Sequence, residues 1–253
     1  MNSISIPIGK QKEFQMSPSR KTALVAGVLY LLTFVSIPTL FLYGPVKSAN
    51  YIVGAGPDTA VIVGAILEMI VALAGIGTAV ALYPVLKRQN EGVALGFVGS
   101  RTLEAATIFA GVAMLLSVVT LRQAGAGAGA LVTGQALVAM YNRTFLIGQS
   151  FMPVVDDLLL GFLLYQSRLV PRVFPLLAFT GAALLVASDT AVLFGLLGQT
   201  SSLASISALP IALFEFSLGV WLVVKGFKPS PLTSGNIGVG VDEGFPTRAV
   251  AAG

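Results

Sequence analysis

Apolar residues fall into six long runs separated by short polar stretches, and this alternation decides the fold class. The runs cover about 22–43, 58–86, 93–121, 145–166, 173–197 and 203–224. Each reaches the roughly 20 residues an α-helix needs to cross a hydrocarbon core about 30 Å thick. The pattern predicts an all-α polytopic membrane bundle of six transmembrane helices forming one domain over residues 21–228. A polar segment precedes it at 1–20, and a tail rich in Gly, Pro and small residues follows at 229–253 and is expected to be disordered. The first run is longer than a signal-peptide core and ends at no small-x-small cleavage site, so it reads as an uncleaved helix.

Prolines and small polar residues punctuate the runs. Pro57 and Asp58 predict the start of the second helix, where a missing N–H costs nothing and a carboxylate satisfies free amides. Pro175 and Pro210 are expected near the starts of the fifth and sixth. Pro153 falls inside the fourth run and predicts a kink or break, with residues 131–141 as a separate short amphipathic helix before it. The alternating Gly and Ala of 124–130 read as a flexible linker.

Composition sharpens the picture. The chain is 55% hydrophobic and only 10% charged, against about a quarter charged in soluble domains. It contains neither Cys nor His. That removes disulfides, thiolate nucleophiles, His-based triads and the usual zinc sites, so no cofactor or metal is expected and proton chemistry falls to carboxylates. The net charge of +4 comes without a basic block, so no nucleic-acid surface is expected.

The positive charge is better used in topology, since cytoplasmic loops retain Lys and Arg. With an inside N-terminus, Arg20, Lys21, Lys87, Arg88, Arg168, Arg172, Lys225 and Lys228 fall inside, and only Lys47, Arg122 and Arg143 outside. Both termini are therefore expected in the cytoplasm of a multi-pass protein of the cytoplasmic membrane. Tyr83, Tyr165 and Trp221 read as aromatic anchors at inside ends, and Tyr43, Tyr51 and Tyr141 at outside ends.

Ionisable groups within spans cost about 2.5 to 3.5 kcal/mol each on insertion scales, so each needs a partner, a proton or water. Here they are Glu68, Arg101, Glu104, Asp156, Asp157, Asp189 and Glu215. At about 1.5 Å rise per residue all could share one slab roughly 15 Å thick. Small residues recur beside the acids at helical spacing: Glu68, Ala72, Gly75 and Ala79; Gly96, Ser100, Glu104, Thr107 and Gly111; Ala208, Ala212, Glu215 and Gly219. Such stripes suit close helix contact, so the acids are expected to face protein rather than lipid. Arg101 and Glu104 can pair at three-residue spacing.

The site expected from these residues is a polar intramembrane layer of Glu68, Arg101, Glu104, Asp157, Asp189 and Glu215. Three functions compete for it. In the first, the layer is structural glue of a non-catalytic membrane scaffold or partner subunit. In the second, it is the path of a small proton- or cation-linked transporter, with Pro153 freeing backbone carbonyls beside Asp156. The third is an intramembrane aspartyl-type enzyme, which requires carboxyls from two helices, such as Asp157 and Asp189, because adjacent Asp156 and Asp157 diverge by about 100°. The lipid bilayer is the expected partner, and a homo-oligomer or an unidentified membrane partner stays open.

Five stretches carry a resemblance: GVLYLLTF at 27–34, GIGTAVALYPVLKRQNE at 75–91, LLSVVTLRQ at 115–123, LLLGFLLYQSRLVPR at 158–172 and SLGVWLVVKGFKPS at 217–230. Over about residues 21–230 the chain resembles an uncharacterised bacterial six-helix membrane family, catalogued as domain of unknown function 4386. The resemblance implies six membrane helices and carries over no activity, substrate or site residues. It implies an uncharged Asn near the start of the fourth helix, where this chain has Asp156 and Asp157. Glu68, Arg101, Glu104 and Glu215 lie where the match is best and are preferred as the site.

Overall fold

The computed structural model describes residues 16–233, so most of segment 1–20 and of tail 229–253 lies outside the described residues. Within them the chain is helical, and six helices are long and apolar enough to cross a membrane. A lipid core offers no water to satisfy backbone polar groups, so a chain this apolar must close its hydrogen bonds within helices.

The first span, Pro18–Leu42, consists of α1 (Pro18–Thr33), a 3₁₀ turn (Phe34–Ser36) and α2 (Thr39–Leu42). Helix α3 runs Asp58–Leu86 and α4 Glu91–Gln123. Helices α5 (Leu131–Phe145) and α6 (Met152–Ser167) are joined by a π-helical turn, Leu146–Phe151. Helix α7 spans Val173–Leu193 and α8 Ser202–Val224. Side chains close several N-termini: Ser17 accepts from the Arg20 amide at 3.3 Å, Asn90 from Val93 at 3.1 Å and Ser201 from Ala204 at 3.3 Å.

Three local expectations are revised. Asp58 does not cap α3; its carboxylate turns to Arg122 at 2.6 Å and Tyr51 at 2.6 Å. Pro210 lies inside α8 rather than at its start. Residues 131–141 do not form a separate helix, because α5 runs through the π turn into α6. Pro153 lacks an N–H and crowds the turn before it, and the wider π turn lies just there. The composite Ala128–Ser167 has 40 residues, about twice what a bilayer core requires, so α5 extends the fourth span beyond it.

Packing closes a ring in chain order. α1 lies between α3 and α8, α3 against α4, α4 against α5 and α6, α6 against α7, and α7 against α8. Glycines set the closest approaches: a methyl on Gly27 would meet the Gly219 carbonyl oxygen at 2.7 Å, and one on Gly181 would meet Ile211 Cγ1 at 2.6 Å. Leu40, Leu73, Val80 and Leu213 are each more than half exposed on the outer surface, where the lipid bilayer is their natural contact.

The two ends of the ring differ. At one end Arg20 donates to the carbonyls of Leu222, at 2.8 Å, and Val223, while Arg88 donates to Leu232 at 2.8 Å. At the other, Tyr43, Val46, Tyr51 and Ile52 pack with Leu115, Val118 and Tyr141 into a small apolar cap.

Candidate functional site

Arg101 sits on α4 at the centre of the ring, 3% exposed. Its neighbour one turn away, Glu104, accepts a hydrogen bond from Nη1 at 2.9 Å. Nη2 donates to Glu215 of α8, across the ring from α4. Nε lies 3.6 Å from Asp156 Oδ2 of α6, an ionic contact too long to be a hydrogen bond. One guanidinium therefore ties together three helices, a task for which its planar fork of five donors is suited. The rings of Tyr30 and Phe97 lie 5.6 and 5.8 Å from its Cζ. Gly75 leaves the facing side of α3 open: a methyl there would just touch Arg101 Cδ and Glu104 Oε2, each at 3.9 Å.

Around this cation the acids are in excess. Asp156 and Asp157 are both fully buried. Ser100 Oγ lies within bonding reach of Asp156 Oδ1 and, at 3.1 Å, of the Phe97 carbonyl oxygen. Among the described residues, both oxygens of Asp157 lack a hydrogen-bond partner, as does the hydroxyl of Tyr30.

Two expected members of the layer stand apart. Glu68 is 1% exposed and accepts from Tyr43 Oη at 3.2 Å, Tyr141 Oη at 3.0 Å and Gln149 Nε2 at 3.4 Å. It has three donors and, among the described residues, no ion pair. Asp189 accepts from Ser150 Oγ at 2.8 Å through one oxygen, and its other oxygen is unpartnered. The π turn supplies both contacts: Gln149 reaches Glu68 on α3, and the next residue, Ser150, reaches Asp189 on α7. No hydrogen bond joins Asp157 to Asp189.

The structure thus brings Arg101, Glu104, Asp156 and Glu215 into one ion cluster and leaves Glu68 and Asp189 in separate polar contacts. Sequence reasoning missed the hydroxyl and amide partners. Tyr43 and Tyr141 read as interfacial anchors, yet they are buried and face each other edge-on, with ring centroids 5.6 Å apart. The small-residue stripe on α3 is buried throughout, whereas Gly96 at the start of the α4 stripe is exposed.

No curated protein and no solved structure matches the chain. A family model described as Domain of unknown function (DUF4386) matches residues 25–226, from within α1 to just past the end of α8, and so takes in part of α1 and all the other helices of the ring. The chain is an integral membrane protein of the DUF4386 family.

Proposed function

We propose that the protein is a small proton- or cation-linked transporter whose central carboxyls carry the coupling charge. The observation behind this reading is the excess of acid around Arg101. Glu104, Asp156 and Glu215 all contact the one guanidinium of Arg101, and next to Asp156 a fourth acid, Asp157, is buried with neither oxygen partnered among the described residues. If all four were ionised the cluster would hold three uncompensated negative charges in a low-dielectric setting, which protons or a cation must neutralise. Ser100 supports the same view. It has one hydroxyl proton but two acceptors in reach, and a protonated Asp156 resolves the conflict by donating to Ser100 while Ser100 donates to Phe97. A cluster that can gain or lose one proton while Arg101 keeps its partners is suited to coupling.

Structural glue needs only one or two acids per guanidinium. One observation nevertheless favours a scaffold as the second reading: Arg101 links α4 to α6 and α8, and so ties the ring across its centre. The distribution of Lys and Arg supports a cytoplasmic location for both termini, because the end bearing Lys87, Arg88, Arg168, Arg172, Lys225 and Lys228 is the richer in cations.

A flux assay separates the two readings. Full-length protein is reconstituted in liposomes loaded with a pH dye, and wild type is compared with Glu215→Gln, Asp157→Asn and Glu68→Gln across an imposed proton gradient. The transporter reading expects a flux in wild type that Asp157→Asn and Glu215→Gln abolish while still reconstituting as folded protein. Wild-type liposomes as tight as empty ones, with either sign of membrane potential and with sodium or potassium gradients, would leave the scaffold.

A further inference from the structure

A cavity of about 270 Å³ opens at the end of the ring where residues 43–57 fold over α4 and α5. Its size is near the lower end of the range for small-molecule sites, about 300–1,000 Å³. Val118, Leu131 and Val138 give it an apolar floor, and Lys47, Gln135 and Asn142 its polar groups. No Asp or Glu lines it. Among the described residues Lys47 has no ion-pair partner, and the side-chain amides of Gln135 and Asn142 make no hydrogen bond. Leu131, Gln135, Val138 and Asn142 recur at helical spacing, so one face of α5 presents apolar and amide groups together.

We infer that this cavity binds a small organic monoanion, a carboxylate with a short apolar body. A single cation matches one negative charge and would leave a dianion half compensated. Two free amides can complete the carboxylate's hydrogen bonds, and the floor covers its hydrocarbon. Lys47 Nζ lies 5.0 Å above the ring of Tyr141, and the hydroxyl of Tyr141 donates to Glu68, so the anion would sit one aromatic ring away from a buried acid. The packing around Lys47 lowers its pKa by removing hydration, against the pull of Glu68, and an anion beside it would restore the preference for the ammonium. This site stands apart from proton movement through the centre, because equilibrium binding requires no flux.

The test is ligand-dependent thermal unfolding of full-length protein in a non-ionic detergent, with hexanoate as the probe. Hexanoate should raise the unfolding midpoint, whereas hexanamide and hexylammonium should not. Lys47→Gln should weaken half-saturation about tenfold or more. Lys47→Arg should retain binding, and Ala49→Phe, which fills the cavity without altering charge, should abolish it. The unliganded midpoint of each variant reports whether it is folded. Equal protection by hexanamide, or hexanoate protection unchanged in folded Lys47→Gln, would overturn the inference. Protection by phosphatidylglycerol in mixed micelles that depends on Lys47, with none from hexanoate, would assign the cation to a lipid headgroup and equally overturn it.

Discussion

At the scale of single residues, Arg101 and Asp157 should respond to substitution in opposite directions. Arg101→Met leaves Glu104, Asp156 and Glu215 without their shared cation, and removing one partner from a buried ionic contact costs about 3–5 kcal/mol. Its denaturation midpoint in detergent should fall steeply. Asp157→Leu removes two buried oxygens that have no partner, so the same measurement should show unchanged or increased stability. If Asp157 also proves necessary for flux, stability has been given up for function at that position. Lys47 supplies a prediction in pH. Lys47 is exposed as a residue, yet partial loss of hydration at its ammonium lowers its pKa from the ordinary 10.5, with Glu68 opposing, and hexanoate needs the protonated form. Affinity should therefore begin to fall as pH rises through the pKa of unliganded Lys47, below 10.5, while saturating hexanoate carries binding to higher pH; an affinity that does not change with pH up to and beyond 10.5 would argue against Lys47 as the binding cation. The acids themselves were legible in the sequence, because an ionisable group amid apolar residues is conspicuous whatever surrounds it. Their partners were not: Tyr43, Tyr141, Gln149 and Ser150 are ordinary residues near helix ends or in an apolar run, and nothing local shows that they turn inward.

At the scale of helices, glycine placement distinguishes protein-facing from lipid-facing surfaces. Gly27→Ala would drive a methyl to 2.7 Å from a backbone oxygen of Gly219 and 2.9 Å from the Val223 nitrogen, neither able to move cheaply. Overpacking of this kind costs about 1–3 kcal/mol. Gly99→Ala meets nothing within 4 Å and should be neutral, or gain up to about 1 kcal/mol from helix propensity. Thermal unfolding of the two variants side by side checks the contrast; equal losses would mean that α1 and α8 are not in close contact. The spans were legible because hydropathy over about 20 residues averages out local irregularity. The place of the irregularity in the fourth span was legible from Pro153, but its form as a π turn over Leu146–Phe151 was not, since a missing N–H marks where a helix is disturbed and leaves open how the backbone adjusts. Nor could the sequence show that α5 continues into α6, since Leu131–Phe145 reads equally well as a helix apart.

At the scale of the whole molecule, the ring arrangement follows from six spans with short connections, which place successive helices side by side. The division of the acids did not follow, because a slab position gives depth along the membrane normal and leaves direction within the plane undetermined. Glu68 and Arg101 lie on adjacent helices and still take different partners. Orientation can be measured directly because the chain contains no cysteine. A membrane-impermeant maleimide should label Ser48→Cys in intact cells and Gln166→Cys only after permeabilisation. The reverse pattern would place the termini on the opposite side.

Closure of the ring in chain order has a consequence for biosynthesis. Helices leave the ribosome from first to last, so α4 enters the membrane while Glu215, 114 residues further along, has yet to be made. Glu104, three residues from Arg101 on the same helix, is present from the start. It can accompany the guanidinium through insertion and hold it until α6 brings Asp156 and α8 brings Glu215 and completes the ring. Glu104 is thus the carboxylate partner of Arg101 that the order of synthesis supplies first, and the completed ring keeps that contact at 2.9 Å.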